Sequence, residues 1–369
     1  MRYFVSFLFL LLCKATGGLV NSLKPSDIPT ENKVFLITLD GFRWQELFQG
    51  ADSTLLADAT YTHDTTATQN YWTADYTQRR KRLLPFFWNV IATQGQLFGN
   101  RAFGNYVNVS NPYRLSYPGY NEILTGRADP TIYSNERKRN QNTTLLEYLN
   151  ALPAYANSVA AFTSWNAFPY ILNKKRSNVY VNCTFDAQSN SLFKMKTAAG
   201  AALPRFYDDA QNTRNDWATF FAAQHYIKEQ LPKVVFIGLG GTDEYGHQKK
   251  YSRYLQQAAQ ADRIISELWS LVQSLPFYKD HTTFIITTDH GRGNSARNWY
   301  KHGFLTEGAS QTWLAMLGAG VPHWGELKCK TQLYQDQIAG TVSTLLGVRS
   351  FERQSIPVSF YTVPFMQGQ

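Results

Sequence analysis

Five short runs of β-branched and aliphatic residues punctuate the chain: Lys33–Leu39, Ser158–Phe162, Lys233–Leu239, Thr282–Thr288 and Thr312–Leu317, the last running into Gly318-Ala319-Gly320. None alternates strictly between apolar and polar positions, so each predicts a strand buried on both faces, as in a largely parallel sheet between helical layers. A different period governs Tyr251–Leu275, where Tyr254, Leu255, Ala258, Ala261, Ile265, Leu268 and Val272 recur at three- and four-residue steps. That spacing predicts a long helix with one apolar face. Strands alternating with helices give an α/β fold, with a mostly parallel central sheet covered by helices on both faces and ligands gathering at the carboxyl ends of the strands. No repeat, low-complexity tract or linker divides the chain, which predicts one domain over residues 23–369. The Ala-, Ser- and Asn-rich stretch Asn182–Asn215 lacks a period and reads as an excursion over the site or a surface loop.

Residues 1–22 read as a signal peptide: a charge at Arg2, an apolar run over Tyr3–Leu12, then the smaller and more polar Cys13–Gly18. A helix needs about 20 apolar residues to cross a bilayer, so the run predicts a leader cleaved between Gly17 and Ser22, and a periplasmic or secreted protein without a later membrane span. Lipid attachment at Cys13 is the lesser alternative, because bulky Leu11-Leu12 precede it. Export changes the meaning of the two remaining cysteines. Cys183 and Cys329 can pair in an oxidising compartment, whereas zinc binding by them lacks any Cys-x-x-Cys spacing. Asn108, Asn142 and Asn182 head formal glycosylation sequons.

Composition adds little beyond class. With 44% hydrophobic and 15% aromatic residues, the 369-residue chain builds a sizeable core and is far from the disordered class. The net charge of +9 fits an anionic substrate or surface. Its densest cluster, Arg79–Arg82, precedes the apolar Leu83–Val90 and reads as a solvated helix start rather than a nucleic-acid patch.

Chemistry enters where the strands end. Three runs lead straight into acidic residues: Leu39-Asp40-Gly41, Leu239-Gly240-Gly241-Thr242-Asp243 and Thr288-Asp289-His290-Gly291. One Asp after a strand is usually a turn or helix cap. Three at equivalent strand ends converge on one edge of a parallel sheet, where they repel one another unless cations lie between them. Histidine completes the pattern: His247 is four residues after Asp243, His290 adjoins Asp289, and His302 follows in Tyr300-Lys301-His302-Gly303. A mixed oxygen and nitrogen set suits zinc or manganese better than calcium or magnesium. His63, His225, His281 and His323 have no such spacing and read as structural.

Thr38-Leu39-Asp40-Gly41-Phe42-Arg43, Ser116-Tyr117-Pro118-Gly119-Tyr120, Asp243–His247 and Thr288–Gly291 stand in the order found in the alkaline phosphatase superfamily. The chain resembles most its nucleotide pyrophosphatase/phosphodiesterase branch, over about residues 33–320. The resemblance implies an alkaline phosphatase-like α/β fold and two divalent ions, zinc or alternatively manganese. It implies one ion held by Asp243, His247 and His302 and a second by Asp40, Asp289, His290 and the Ser116 oxygen. Ser116 is then the nucleophile of a phosphoseryl mechanism. Asn135, with backbone N–H groups near Tyr117, would hold the nonbridging phosphate oxygens. Gly119 departs from the family's usual Asn. The expected partner is a small-molecule phosphoester, as monoester, diester or pyrophosphate, and not a nucleic-acid polymer.

Competing readings follow from the same residues. A sulfatase is expected to show Cys/Ser-x-Pro-x-Arg, but position 120 is Tyr. Cofactor-independent phosphoglycerate mutases are cytosolic, and phosphoethanolamine transferases carry several membrane spans. No Gly-x-Ser-x-Gly elbow supports a serine–histidine–aspartate triad. A non-catalytic anion-binding relative would have lost ligands that are all retained here.

Overall fold

The computed structural model of the protein describes residues 32–183, 212–348, 351 and 356. The leader at 1–22 and most of the Asn182–Asn215 excursion lie outside the described residues. Eleven strands are formed among the described residues: β1 (Lys33–Leu39), β2 (Gly95–Phe98), β3 (Asn105–Asn108), β4 (Val159–Thr163), β5 (Tyr180–Asn182), β6 (Val234–Leu239), β7 (Thr282–Thr287), β8 (Gln311–Thr312), β9 (Leu314–Gly318), β10 (Gly325–Glu326) and β11 (Thr331–Tyr334). Eight make one sheet in the order β10-β2-β9-β7-β1-β6-β4-β5, and β11-β3-β8 make a smaller one. In the large sheet only β9 runs against the others.

Strand β1 shows why this sheet is two-sided. All seven of its residues are buried. Val34 and Leu36 pack on one face with residues of the Ser116–Thr125 and Gln337–Leu345 helices. Phe35, Ile37 and Leu39 pack on the other, against the Tyr251–Ser274 helix. Each such side chain contributes about 1.5–3 kcal/mol on full burial, so an apolar run covered on both faces is the stable place for this sequence. The predicted long helix forms as expected, with Tyr254, Leu255, Ala258, Ala261, Ile265, Leu268 and Val272 all buried.

The run Thr312–Leu317 is divided rather than continuous. Gln311–Thr312 pairs with β3, while Leu314–Gly318 joins the large sheet between β2 and β7. Trp313 marks the break: its ring is fully buried against Phe42 and Phe87, and its Nε1 donates to Phe42 O at 2.8 Å. Residues 44–94 supply short helices, among them Tyr76–Leu83, which contains the basic cluster. Its guanidiniums are engaged within the fold. Arg79 Nε donates to Gln49 O at 2.8 Å, Arg82 Nη1 to Trp72 O at 2.8 Å, and Arg80 pairs with Glu326 and lies 3.4 Å from the Trp88 ring centroid.

The fold bears on both the open cysteine pairing and the formal sequons. Cys183 follows β5 at one edge of the sheet and Cys329 follows β10 at the other. Seven strand spacings separate these edges, roughly 30 Å, where a disulfide needs Cα atoms within about 7 Å. No disulfide joins the two. Of the sequon residues, Asn142 and Asn182 are buried, where a glycan has no room. Among the described residues no helix is long and apolar enough to cross a membrane.

Candidate metal centre

The sheet order brings the acidic strand ends together. β7, β1 and β6 are parallel neighbours, with Thr38 opposite Thr287 and Leu39 opposite Leu239, so their carboxyl ends emerge side by side at about 4.8 Å intervals. Asp40 follows β1, and Asp289 and His290 follow β7. Asp243 and His247 lie four apart, hence on one face, of the Gly241–His247 helix after β6. His302 returns from the loop beyond β7. Ser116 begins the Ser116–Thr125 helix, where the helix N-terminus favours negative charge.

Around Ser116 the contacts are close. Its Oγ lies 3.5 Å from Asp40 Oδ1 and 3.3 Å from His290 Nε2. His290 Nε2 is 3.5 Å from both Asp40 Oδ1 and Asp289 Oδ2. A second group adjoins: His247 Nε2 is 3.0 Å from Asp243 Oδ2 and 3.2 Å from His302 Nε2. His290 Nε2 also lies 3.9 Å from Asp243 Oδ1, no farther than His302 Nε2 at 4.0 Å, so this imidazole stands between the two groups. The rings of His290 and His302 stack with centroids 4.0 Å apart.

Each carboxylate is tied by one oxygen and offers the other. Asp40 Oδ2 accepts from Tyr120 OH at 3.0 Å, leaving Oδ1 toward Ser116. Asp289 Oδ1 accepts from Gly41 N–H at 3.0 Å, leaving Oδ2 buried with no hydrogen-bond partner. Asp243 Oδ1 is held by Arg292 Nη2, leaving Oδ2 toward His247. The imidazoles are oriented in the same way. His290 Nδ1 faces Gly291 O at 2.9 Å and His302 Nδ1 faces Arg114 O at 3.2 Å. A carbonyl only accepts, so both protons sit on Nδ1 and both Nε2 lone pairs point into the cluster.

Electrostatics among these groups calls for a cation. Burial, then the charges of Asp289 and Asp243, push the Asp40 carboxyl well above the usual range. Burial, with Asp243 adding, pushes Asp289 up to about 8. Burial would also raise Asp243, but Arg292, His247 and His302 hold it well below the carboxylate range. Burial pulls His290 down and takes His302 to about 4, so both rings are neutral. Asp40, Asp289 and His290 each place a ligand atom within 4.8 Å of the others, as do Asp243, His290 and His302. Donors around a tetrahedral zinc with bonds of about 2.0 Å lie roughly 3.3 Å apart, close to the spacings in both groups. The residues fit a small divalent ion, and the orphaned Asp289 Oδ2 is where one is missed most.

Comparison with known proteins agrees with this arrangement. A family model described as the Metalloenzyme superfamily matches residues 190–306, the stretch containing Asp243, His247, Asp289, His290 and His302. Lipoteichoic acid synthase LtaP from Listeria monocytogenes superposes with a TM-score of 0.58 at 10% identity, over 90% of this chain and 76% of its own. The phosphonate monoester hydrolase of Agrobacterium radiobacter gives 0.58 at 12% identity, over 91% of this chain and 78% of its own. Wild type alkaline phosphatase PafA gives 0.57 at 12% identity, over 90% and 99% respectively. The chain has an alkaline phosphatase-like fold. No curated protein matches it in sequence.

Within that fold, five of the six expected side-chain ligands fall in these two groups, the half-exposed His247 reaches them only through Asp243 and His302, and His63, His225, His281 and His323 fall outside. Asn135 also reaches the helix that Ser116 begins, its Oδ1 accepting from Tyr117 N–H at 2.9 Å. That bond engages the Tyr117 amide and orients the Asn135 side chain. The reason for Gly119 also becomes visible. A Cβ there would lie 2.3 Å from Asp289 O, so the helix approaches the ligand segment too closely for any side chain. Sequence reasoning did not find Tyr120 or Arg292 as partners of the ligands. Nothing in the spacing marks Tyr120, whereas Arg292 directly follows Asp289-His290-Gly291 and could have been suspected.

Proposed function

We propose that the chain is an exported, metal-dependent phosphoester hydrolase acting through a phosphoseryl intermediate, with Asp40, Asp289, His290 and the Ser116 oxygen holding one zinc ion and Asp243, His247 and His302 another. The observation that carries this reading is the disposition of Asp40, Asp243 and Asp289. Each is fixed through one oxygen and presents the other to an imidazole or to the Ser116 hydroxyl. Divalent ions bound there would supply positive charge that lowers the pKa of the Ser116 hydroxyl and offsets charge on the leaving oxygen.

Ser116 Oγ attacks phosphorus in line, and as the O–P bond forms and the bond to the leaving oxygen breaks, the hydroxyl proton passes through solvent to the leaving oxygen. The helix N-terminus beneath Ser116 and the Asn135 Nδ2 donor oppose charge on the nonbridging oxygens. Water then attacks the phosphoseryl ester, releases phosphate or a phosphomonoester, and returns the hydroxyl to Ser116. The Asp40-Gly41-Phe42-Arg43 motif favours diesters and nucleotide pyrophosphates as substrates, and a monoesterase is the alternative. A sulfatase is disfavoured because Tyr120, not Arg, stands after Ser116-Tyr117-Pro118-Gly119, and its hydroxyl is committed to Asp40. The test is a parallel rate comparison of nitrophenyl phosphate, bis-nitrophenyl phosphate and nitrophenyl sulfate, with and without chelator. A phosphoester is turned over fastest, chelator abolishes the rate, and Ser116→Ala removes it; a Ser116→Ala enzyme as fast as the parent refutes the assignment.

A further inference from the structure

The helix that starts at Ser116 carries a carboxylate with no part in that chemistry. Glu122 is fully buried, and both its oxygens face the loop that precedes the helix. Oε1 accepts from Ser110 N–H at 2.6 Å, and Oε2 accepts from Asn111 N–H and Asn111 Nδ2 at 2.8 Å each. Asn111 passes the constraint on: its Oδ1 accepts from Arg114 N–H at 2.8 Å. Arg114 is held at φ 54°, a left-handed conformation that a long side chain rarely adopts, and its Nη1 donates to Phe304 O at 3.0 Å. The turn fixed in this way aims the Arg114 carbonyl at His302 Nδ1, 3.2 Å away.

We infer that Glu122 is a positioning residue for His302. Through Asn111 and the strained Arg114 turn it sets the tautomer and ring orientation of that imidazole, and so ties His302 to the helix bearing Ser116. The inference rests on the reading of His302 as a metal ligand. Partners that fix a ligating histidine through its other ring nitrogen typically matter to metal affinity by about 10–100-fold. Glu122 itself touches none of the candidate ligands; it acts only through the loop.

The experiment measures zinc affinity by competition with a chromophoric chelator, and the visible absorption of the cobalt-substituted protein. It compares the parent, Glu122→Gln, Asn111→Ala, His302→Ala and Glu122→Gln/His302→Ala. Gln keeps the shape of Glu122 but turns an NH2 group against the amides of Ser110 or Asn111. Glu122→Gln is expected to weaken the more labile zinc about tenfold and to shift the cobalt bands, and Asn111→Ala to do the same. In the His302→Ala background, Glu122→Gln then has no further effect. Unchanged affinity and spectra in both single variants, or an equal loss from Glu122→Gln with His302 absent, would overturn the inference and leave Glu122 a structural residue. Full zinc binding by His302→Ala would instead overturn the ligand reading, and the inference with it.

Discussion

Gly119 offers a sharp test of how closely the Ser116 helix approaches the candidate centre. It lies inside the helix, and its N–H donates to Leu115 O at 2.9 Å, so on propensity alone Gly119→Ala would stabilise the protein by about 1 kcal/mol. The structure predicts the opposite sign. An alanine Cβ would lie 2.3 Å from Asp289 O, 3.0 Å from its carbonyl carbon and 3.2 Å from its Cβ. Ordinary contacts are about 3.5 Å, so the helix and the Asp289 segment must part by roughly 1 Å. Overpacking of this kind costs about 1–3 kcal/mol. The displacement also carries Ser116 away from Asp40, Asp289 and His290, and a 1 Å misplacement of reacting groups costs about 10²-fold in rate. The assay pairs urea unfolding with kcat/KM on the best nitrophenyl ester. A Gly119→Ala protein that is more stable than the parent and equally active would refute the close approach.

Three further outcomes follow from other parts of the molecule. Asp262 accepts from Phe86 and Phe87 N–H at 2.9 Å each, and burial pushes its carboxyl from 3.8 up to about 7. A raised folded pKa means stability that is full below pH about 4 and lost as pH rises through 7, a loss of up to about 4 kcal/mol at 1.36 kcal/mol per unit. Between pH 5 and pH 8, urea unfolding should show a loss of stability in the parent that exceeds the loss in Asp262→Asn by about 3 kcal/mol; an equal loss in both would contradict it. Arg292→Met strips the counter-charge from Asp243 and orphans the Gly41 and Tyr300 carbonyls, which should cost about 3–5 kcal/mol of stability in chelator-treated protein, with only partial recovery in Arg292→Lys. Asn135→Ala should lower kcat by about 10²-fold while leaving zinc content unchanged, because it removes a donor to the phosphate and no ligand; a loss of zinc would contradict that role.

The elements legible in the sequence are those whose environment is uniform along their length. β1 is apolar at every second position on both faces, and the Tyr251–Ser274 helix repeats its buried positions, so both were readable almost to the residue. Trp313 was not, because an apolar run does not say which of two sheets each half joins. The distance between Cys183 and Cys329 was hidden for the same reason: strand order is a property of pairing, not of any local stretch. At the candidate centre, Asp and His at the ends of predicted strands announced themselves. Tyr120 did not, since its role depends on one hydroxyl reaching Asp40 Oδ2 across the helix–sheet contact. Gly119 stood out only as a departure from the family's Asn, and the cause, a backbone pressed against Asp289, exists only in the folded chain.

Anomalous diffraction at the zinc absorption edge, from crystals of the protein grown with zinc, tests the account most directly. Two peaks are expected, one within bonding distance of Ser116 Oγ, Asp40 Oδ1, Asp289 Oδ2 and His290 Nε2, the other of Asp243 Oδ2, His247 Nε2 and His302 Nε2. Electron density with those donors in place and no anomalous peak among them, or peaks bound only elsewhere on the molecule, would contradict it.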